Sequence, residues 1–206
     1  MAKLYFRYGA MGAGKSTMLM QVAHNYEEKG LNVLVVKSVV DTKGEDKLVS
    51  RMGLERIVDV LLQNGDILSK VTSLESISCI LVDEAQFLNG KQVEDLWYIS
   101  KELNVPVICY GLKVNFKGEF FAGSKRLMEL ADTFDELITI CKCGKKARFN
   151  ARKVNGVYTL TGDDVVIDGT KDIEYEALCG KCYLEKVILS EKSHKKVSNW
   201  HFFIVL

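Results

Sequence analysis

The sequence predicts an α/β fold: a mainly parallel sheet flanked by helices, followed by a small β-rich subdomain. Three observations predict it. Short apolar runs alternate with segments of helical spacing from Leu4 to Ile140. The runs are apolar throughout, as strands buried on both faces of a parallel sheet must be. After Cys141 the texture changes to short alternating runs around Asn155-Gly156, the strongest short signal for a β-hairpin.

The elements follow in order. Leu4–Tyr8 is apolar and aromatic and leads into a glycine-rich turn, which reads as a buried first strand. Lys15–Lys29 has helical spacing, with Gly30 placed to end it. Asn32 leads into a second strand at Val33–Val36, completing a βαβ unit. Asp41–Ser50 is charged and glycine-bearing and reads as an exposed loop. Gly53–Leu62 has weak helical spacing. Cys79–Val82 is a strand that ends in Asp83-Glu84. Gly90–Leu103 is helical, and Val105–Tyr110 is a strand with Pro106, the single proline, near its start. Ser124–Leu130 forms a further helix, and Leu137–Ile140 closes the block as its last strand. The expected divisions are an α/β domain over 1–140, a small β-rich subdomain over 141–190 and a C-terminal tail over 191–206. The core of the second part is too small to stand without a staple.

Composition narrows the class. The chain has 206 residues, 48% hydrophobic and 27% charged, with a formal net charge of +1. That is enough apolar material for a real core, and it gives no sign of a nucleic-acid wrap or a membrane surface. No apolar run approaches the roughly 20 residues of a membrane span, and the start lacks the layout of a secretion signal. A cytoplasmic protein that engages neither membrane nor nucleic acid is expected. The apolar stretch Trp200–Leu206 reads either as a terminal strand docked on the body or on a neighbouring subunit, or as an exposed, sticky edge.

Gly9-Ala10-Met11-Gly12-Ala13-Gly14-Lys15-Ser16 matches G-x-x-x-x-G-K-[ST] in full, between a strand and a helix. Glycines let backbone N–H groups converge on phosphate oxygens, and the helix N-terminus adds partial positive charge. Lys15 neutralises β- and γ-phosphates, and the Ser16 hydroxyl is placed to ligate Mg²⁺. The loop implies a nucleoside triphosphate and leaves the phosphate acceptor open. Asp83, at a strand end, suits Mg²⁺ as well. Glu84 beside it suits proton abstraction from an attacking hydroxyl or water. The bland alternative is two solvated acids.

Six cysteines are present. Cys79 and Cys109 lie in apolar runs and read as small buried hydrophobes. Cys141-x-Cys143 and Cys179-x-x-Cys182 form two close pairs, which suit a structural, tetrahedral Zn²⁺. Free thiols, or a redox pair at Cys179 and Cys182, are the alternatives.

Taken together these residues resemble the cytosolic, type II thymidine kinases. The resemblance runs from Leu4 to about Lys186. It is carried by Lys3–Phe6, Lys15-Ser16-Thr17, Ser50–Leu54, Leu81–Phe87, Cys109–Leu112, Phe116–Ser124, Cys141–Ala147 and Tyr175–Cys179. It implies a P-loop NTPase fold of the RecA-like kind and ATP-dependent phosphorylation of the 5′-hydroxyl of thymidine, with deoxyuridine as a further substrate, for nucleotide salvage. It implies nucleotide binding by Gly9, Ala10, Met11, Gly12, Ala13, Gly14, Lys15, Ser16, Thr17, Asp83 and Gln86. It makes Glu84 the base and assigns magnesium to Ser16 and Asp83. Nucleoside binding falls to Met11, Phe87, Leu112, Phe116, Phe121, Arg152, Val166, Ile167, Gly169 and Tyr175, with Gly144–Leu178 closing as a lid. A homotetramer with feedback inhibition by thymidine triphosphate is also implied. Asp168 stands where many members carry glycine, and the stretch Gly169–Tyr175 is slightly longer than usual. Spacing alone does not separate pocket wall from core at the phenylalanines. Phe120 is assigned to the core, and Phe116 and Phe121 stay open. Two rivals remain at this stage: a nucleic-acid-stimulated ATPase with a zinc ribbon, and a non-catalytic nucleotide sensor.

Overall fold

The apolar runs of the first part pair into one sheet. The computed structural model describes residues 1–38, 46–62, 65, 67, 76–163 and 172–190. They fall into two units: Met1–Lys113 with Phe120–Leu137, and Val114–Glu119 with the chain from Ile138 onward.

The first unit contains strands β1 (Leu4–Tyr8), β2 (Asn32–Ser38), β3 (Lys47–Val49), β4 (Glu55–Ile57), β5 (Val60–Leu62), β6 (Ile77–Asp83), β7 (Val107–Gly111) and β8 (Thr133–Glu136). Its helices are α1 (Lys15–Glu27), α2 (Gly90–Glu102) and α3 (Ala122–Leu130). Six strands form an all-parallel sheet in the order β5-β2-β6-β7-β1-β8. Register aligns the carboxyl ends: Tyr8 faces Gly111 and Glu136, and Lys37 faces Asp83. The loop after β1 and the acids after β6 therefore emerge at the same edge, where α/β sheets bind ligands.

Alternation divides the core between the two faces. Val35, Cys79, Leu81, Ile108 and Tyr110 pack with Leu19, Met20 and Ala23 of α1. Leu34, Val36, Ile80, Val82, Val107 and Cys109 pack with Val93, Leu96 and Ile99 of α2 and Leu127 of α3. Ile80, Leu81 and Val82 are fully buried, each worth roughly 1.5–3 kcal/mol. Asn89 starts α2 with a reciprocal cap: its side chain accepts from Gln92 N at 2.9 Å, and its own N–H donates to Gln92 Oε1 at 3.0 Å. The first helix ends at Glu27 and turns through Gly30.

Two expectations about elements are corrected. Gly53–Leu62 is not a helix. Glu55–Ile57 pairs antiparallel with β3, and Val60–Leu62 pairs parallel with β2, burying Leu62. Sheet pairing wins because this edge of β2 has no other partner among the described residues, and a weak amphipathic helix has little to offer against it. The last sheet strand is Thr133–Glu136 rather than Leu137–Ile140. It is an edge strand with exposed Phe134 and polar neighbours, so it lacks the apolar signature of the inner strands. Of the expected Asp41–Ser50 loop, 41–45 lie outside the described residues and Lys47–Val49 is β3.

The second unit contains β9 (Thr139–Ile140), β10 (Lys146–Ala147), β11 (Phe149–Val154), β12 (Val157–Thr159), β13 (Ile173–Leu178) and the short α4 (Gly180–Tyr183). β9 and β10 pair antiparallel, and β12-β11-β13 form an antiparallel sheet. Asn155 (φ 49°) and Gly156 (φ 78°) make the expected two-residue turn, both left-handed as a type I′ turn demands. The core is small: Cys141, Ala147, Ala151, Leu178, Cys179, Tyr183 and Val187, with the Phe149 ring stacked on Tyr183 at 4.6 Å. The C-terminal tail 191–206 lies outside the described residues.

Candidate active site

The first cluster stands at the carboxyl edge of the parallel sheet. Gly14 has φ 74°, a left-handed conformation that a side chain would strain, and it hands the loop to α1. That helix start has no side-chain cap and no acid in its first turn. Its N–H groups are thus available to an anion. Lys15 folds back over the loop, donating from Nζ to the carbonyl oxygens of Gly9 at 3.3 Å and Ala10 at 3.2 Å. Burial pushes its pKa below the usual lysine range, against the pull of Glu84 and Asp83, and the positive charge of Arg51 adds to the depression.

Ser16 Oγ donates to Asp83 Oδ2 at 2.9 Å, joining the loop to the end of β6. Burial, then the neighbouring Glu84, push the Asp83 carboxyl well above the usual range, while Ser16 and Lys15 oppose them. Asp83 Oδ1 is buried with no hydrogen-bond partner among the described residues. An orphaned carboxylate oxygen beside a serine hydroxyl is a hard, oxygen-only donor set, and it fits Mg²⁺. Ser16 and Asp83 are the residues that would hold it.

Glu84 follows in the left-handed region, φ 53° and ψ 36°. A non-glycine residue there costs roughly 1–2 kcal/mol and turns the chain out of the strand, so the carboxylate leaves the sheet edge. Ala85–Phe87 continues as a single 3₁₀ turn. Gln86 is buried: its Oε1 accepts from Leu112 N at 3.0 Å and its Nε2 donates to Glu84 Oε2 at 2.5 Å. The turn is walled by glycines. A Cβ on Gly123 would stand 2.4 Å from Ala85 O, and one on Gly111 would stand 2.8 Å from Gln86 Oε1.

Phe87 and Phe121 meet edge to face at 5.8 Å, next in sequence to this turn and to α3. The Leu112 carbonyl accepts from Ser124 Oγ. Phe120, expected in the core, is 49% exposed. Phe121 takes the inward position just before α3, which points its neighbour outward. Of the expected base-pocket residues in this unit, Met11, Phe87, Leu112 and Phe121 are all half-buried, as pocket walls are.

In the second unit Phe116 is buried, and the Arg152 guanidinium lies 3.6 Å from its ring centroid. Arg152 is buried too, and donates to the carbonyl oxygens of Asp163 at 2.7 Å and of Thr161. Tyr175 sits directly across the sheet from Arg152. Phe116, Arg152 and Tyr175 thus gather in one place, although Phe116 comes from a distant part of the chain. Val166, Ile167 and Gly169, together with Asp168, lie outside the described residues.

The four cysteines converge: the Sγ atoms of Cys141, Cys143, Cys179 and Cys182 all lie within 4.8 Å of one another. Tetrahedral Zn–S bonds of about 2.3 Å separate sulfurs by about 3.8 Å, so the four fit one Zn²⁺. Backbone N–H groups, first that of Cys143, favour the Cys141 thiolate and bring its pKa down to about 6.

The comparisons with known proteins carry the identification. The family model described as "Thymidine kinase" matches residues 2–183. The chain belongs to the thymidine kinase family. Among curated relatives, the thymidine kinase of Shewanella oneidensis is 42% identical over 190 residues, covering 90% of this chain and 98% of the relative. That of Francisella tularensis subsp. holarctica is 42% identical over 195 residues, covering 91% and 99%. That of Vibrio cholerae is 43% identical over 190 residues, covering 90% and 98%. The loop Gly9–Ser16 and the acids Asp83 and Glu84 stand on one edge of the sheet in a member of this kinase family.

Sequence reasoning passed over Arg51, quoted within a resembling stretch but given no role, although its charge reaches Lys15. The signal was thin, one exposed arginine in a loop. It also gave Gln86 no part in holding Glu84. Among the described residues, no helix is long and apolar enough to cross a membrane.

Proposed function

We propose that this protein transfers the γ-phosphate of ATP to the 5′-hydroxyl of thymidine, and of deoxyuridine as a second substrate, in nucleotide salvage. One observation supports it above the rest. Lys15, the bare start of α1, the Ser16–Asp83 pair and Glu84 converge on one sheet edge. Each part has its task. The loop amides and Lys15 cradle the triphosphate and meet charge as it develops on the transferred group. Magnesium, when held by Ser16 and Asp83, supplies further charge neutralisation of the phosphates. Glu84 orients the nucleoside hydroxyl and takes its proton as the new P–O bond forms.

Met11, Phe87, Leu112 and Phe121 are the wall of the base pocket in the first unit. Phe116, Arg152 and Tyr175 are the nucleoside-binding residues of the second. The four cysteines hold structural zinc, which ties both ends of the Gly144–Leu178 segment. By family resemblance the reading extends to a cytoplasmic homotetramer inhibited by thymidine triphosphate.

The test is direct. Purified protein is incubated with Mg²⁺-ATP and each of the four common deoxynucleosides, and the monophosphate product is detected. Phosphate on thymidine, and not on the purine nucleosides or deoxycytidine, is the expected result. ATP hydrolysis without nucleoside product, stimulated by added DNA, overturns it in favour of a motor.

A further inference from the structure

We infer that Gln86 is a positioning residue for Glu84: its buried side-chain amide is a bracket that holds the carboxylate in place for proton abstraction. The inference rests on the proposed role of Glu84 as base and deepens it.

Both ends of the amide are engaged. Oε1 accepts from the backbone N–H of Leu112 at 3.0 Å, and Nε2 donates to Glu84 Oε2 at 2.5 Å. This pattern fixes which end is which. A backbone N–H only donates and an ionised carboxylate only accepts, so the amide oxygen must face Leu112 and the nitrogen must face Glu84. Gln86 is 2% exposed, so water cannot readily substitute for either contact.

The surroundings leave the amide little freedom. It occupies space that exists because position 111 is a glycine: a Cβ there would meet Oε1 at 2.8 Å and the backbone nitrogen of Gln86 at 3.1 Å. On the other side of the turn, Gly123 lets three backbone oxygens, those of Ala85, Leu88 and Gln86, approach to 2.4, 2.7 and 3.0 Å of where its Cβ would stand. Leu112 is itself anchored, its carbonyl accepting from Ser124 Oγ. The bracket thus runs from α3 through the Leu112 peptide and the Gln86 amide to the Glu84 carboxylate.

The consequence is chemical. Glu84 leaves β6 in a left-handed conformation, and its side chain would otherwise sample several rotamers over the sheet edge. With Oε2 tethered, Oε1 is the atom that accepts the proton. A base held this way has little entropy to lose as the hydroxyl approaches. The family resemblance implied that Gln86 binds nucleotide. An amide with both ends already occupied is better suited to holding its neighbour.

The experiment is a double-mutant cycle on the full-length protein with Gln86→Met, Glu84→Gln and the pair, using thymidine and Mg²⁺-ATP. Gln86→Met should lower kcat roughly 10- to 100-fold, since misplacing a reacting group by about 1 Å costs on this order. KM for ATP and for thymidine should stay within about threefold, because ground-state binding is untouched. In the Glu84→Gln background the same change should alter kcat by less than about twofold, because the group it positions is gone. An equal kcat loss in both backgrounds, or a loss that appears as a raised KM for ATP, overturns the inference. Near-parental turnover of Glu84→Gln alone overturns the base assignment itself, whatever Gln86 does.

Methionine leaves the Leu112 N–H without its acceptor, so Gln86→Glu guards against a folding defect. It keeps an oxygen for Leu112 and turns a second carboxylate toward Glu84. Its kcat should fall at least as far as that of Gln86→Met, and unchanged kcat in this variant also overturns the proposal.

Discussion

In the first unit Ile80, Leu81 and Val82 are buried completely before Asp83 and Glu84 emerge, so the acids stand at the end of a strand fixed on both faces. In the second unit Cys141 and Cys179 are themselves members of the core. There the residues that would bind metal and the residues that pack are the same. Apolar burial holds the first site, and a metal staple is proposed to hold the second. The comparison teaches that damage should stay local: loss of metal strikes one unit, loss of a carboxylate strikes chemistry, and loss of a glycine strikes the fit between them and the backbone.

The largest effect should follow zinc removal. Structural zinc sites are worth about 10–16 kcal/mol in small peptides, more than the core of Cys141, Ala147, Ala151, Leu178, Cys179, Tyr183 and Val187 would supply alone. After chelation, hydrogen exchange should show β11 and β13 losing protection while β1, β6 and β7 keep theirs. If all five strands lose protection together, or none does, the contrast between the units fails.

Next comes Glu84→Gln. A positioned general base contributes typically ~10²–10⁴-fold, so kcat should fall by about that factor with ATP affinity retained. Calorimetric titration with ATP and single-turnover kinetics separate the two quantities. A variant that turns over near the parental rate would remove Glu84 from the chemistry.

The smallest effect should come from Gly123→Ala. The new methyl would stand 2.4 Å from Ala85 O and 2.7 Å from Leu88 O, both backbone, so the turn must shift. Overpacking of this kind costs roughly 1–3 kcal/mol. A lowered melting temperature with partial loss of kcat is expected. An unchanged melting temperature would mean that the turn is looser than its contacts imply.

The strand, glycine-rich loop and helix at Leu4–Glu27 were legible because the pattern is local. Glycines, Lys15 and Ser16 lie consecutively, and strand and helix flank them. The clustering of the four cysteines was legible for a similar reason, since the members of each pair are close in sequence. Gly53–Leu62 was misread because its spacing suggested a helix, while the decisive partners, β3 and the free edge of β2, lie elsewhere in the chain. The Thr133–Glu136 strand was missed because an exposed edge strand has no apolar run to show. Phe120 and Phe121 are adjacent and alike, and only the start of α3 decides which one turns inward. The Gln86 contacts could not be read at all, because Leu112 is reached through the register of β6 and β7, which no local pattern encodes.

Glu84 occupies a backbone conformation that suits glycine, at the one position where the proposed reaction requires a long acidic side chain. Stability and turnover therefore pull this residue in opposite directions. A glycine here would relieve the backbone, but it would leave the buried Gln86 Nε2 without its acceptor and the proposed reaction without its base. On the proposed reaction, the strain at this corner is the cost of carrying a carboxylate off the end of the strand.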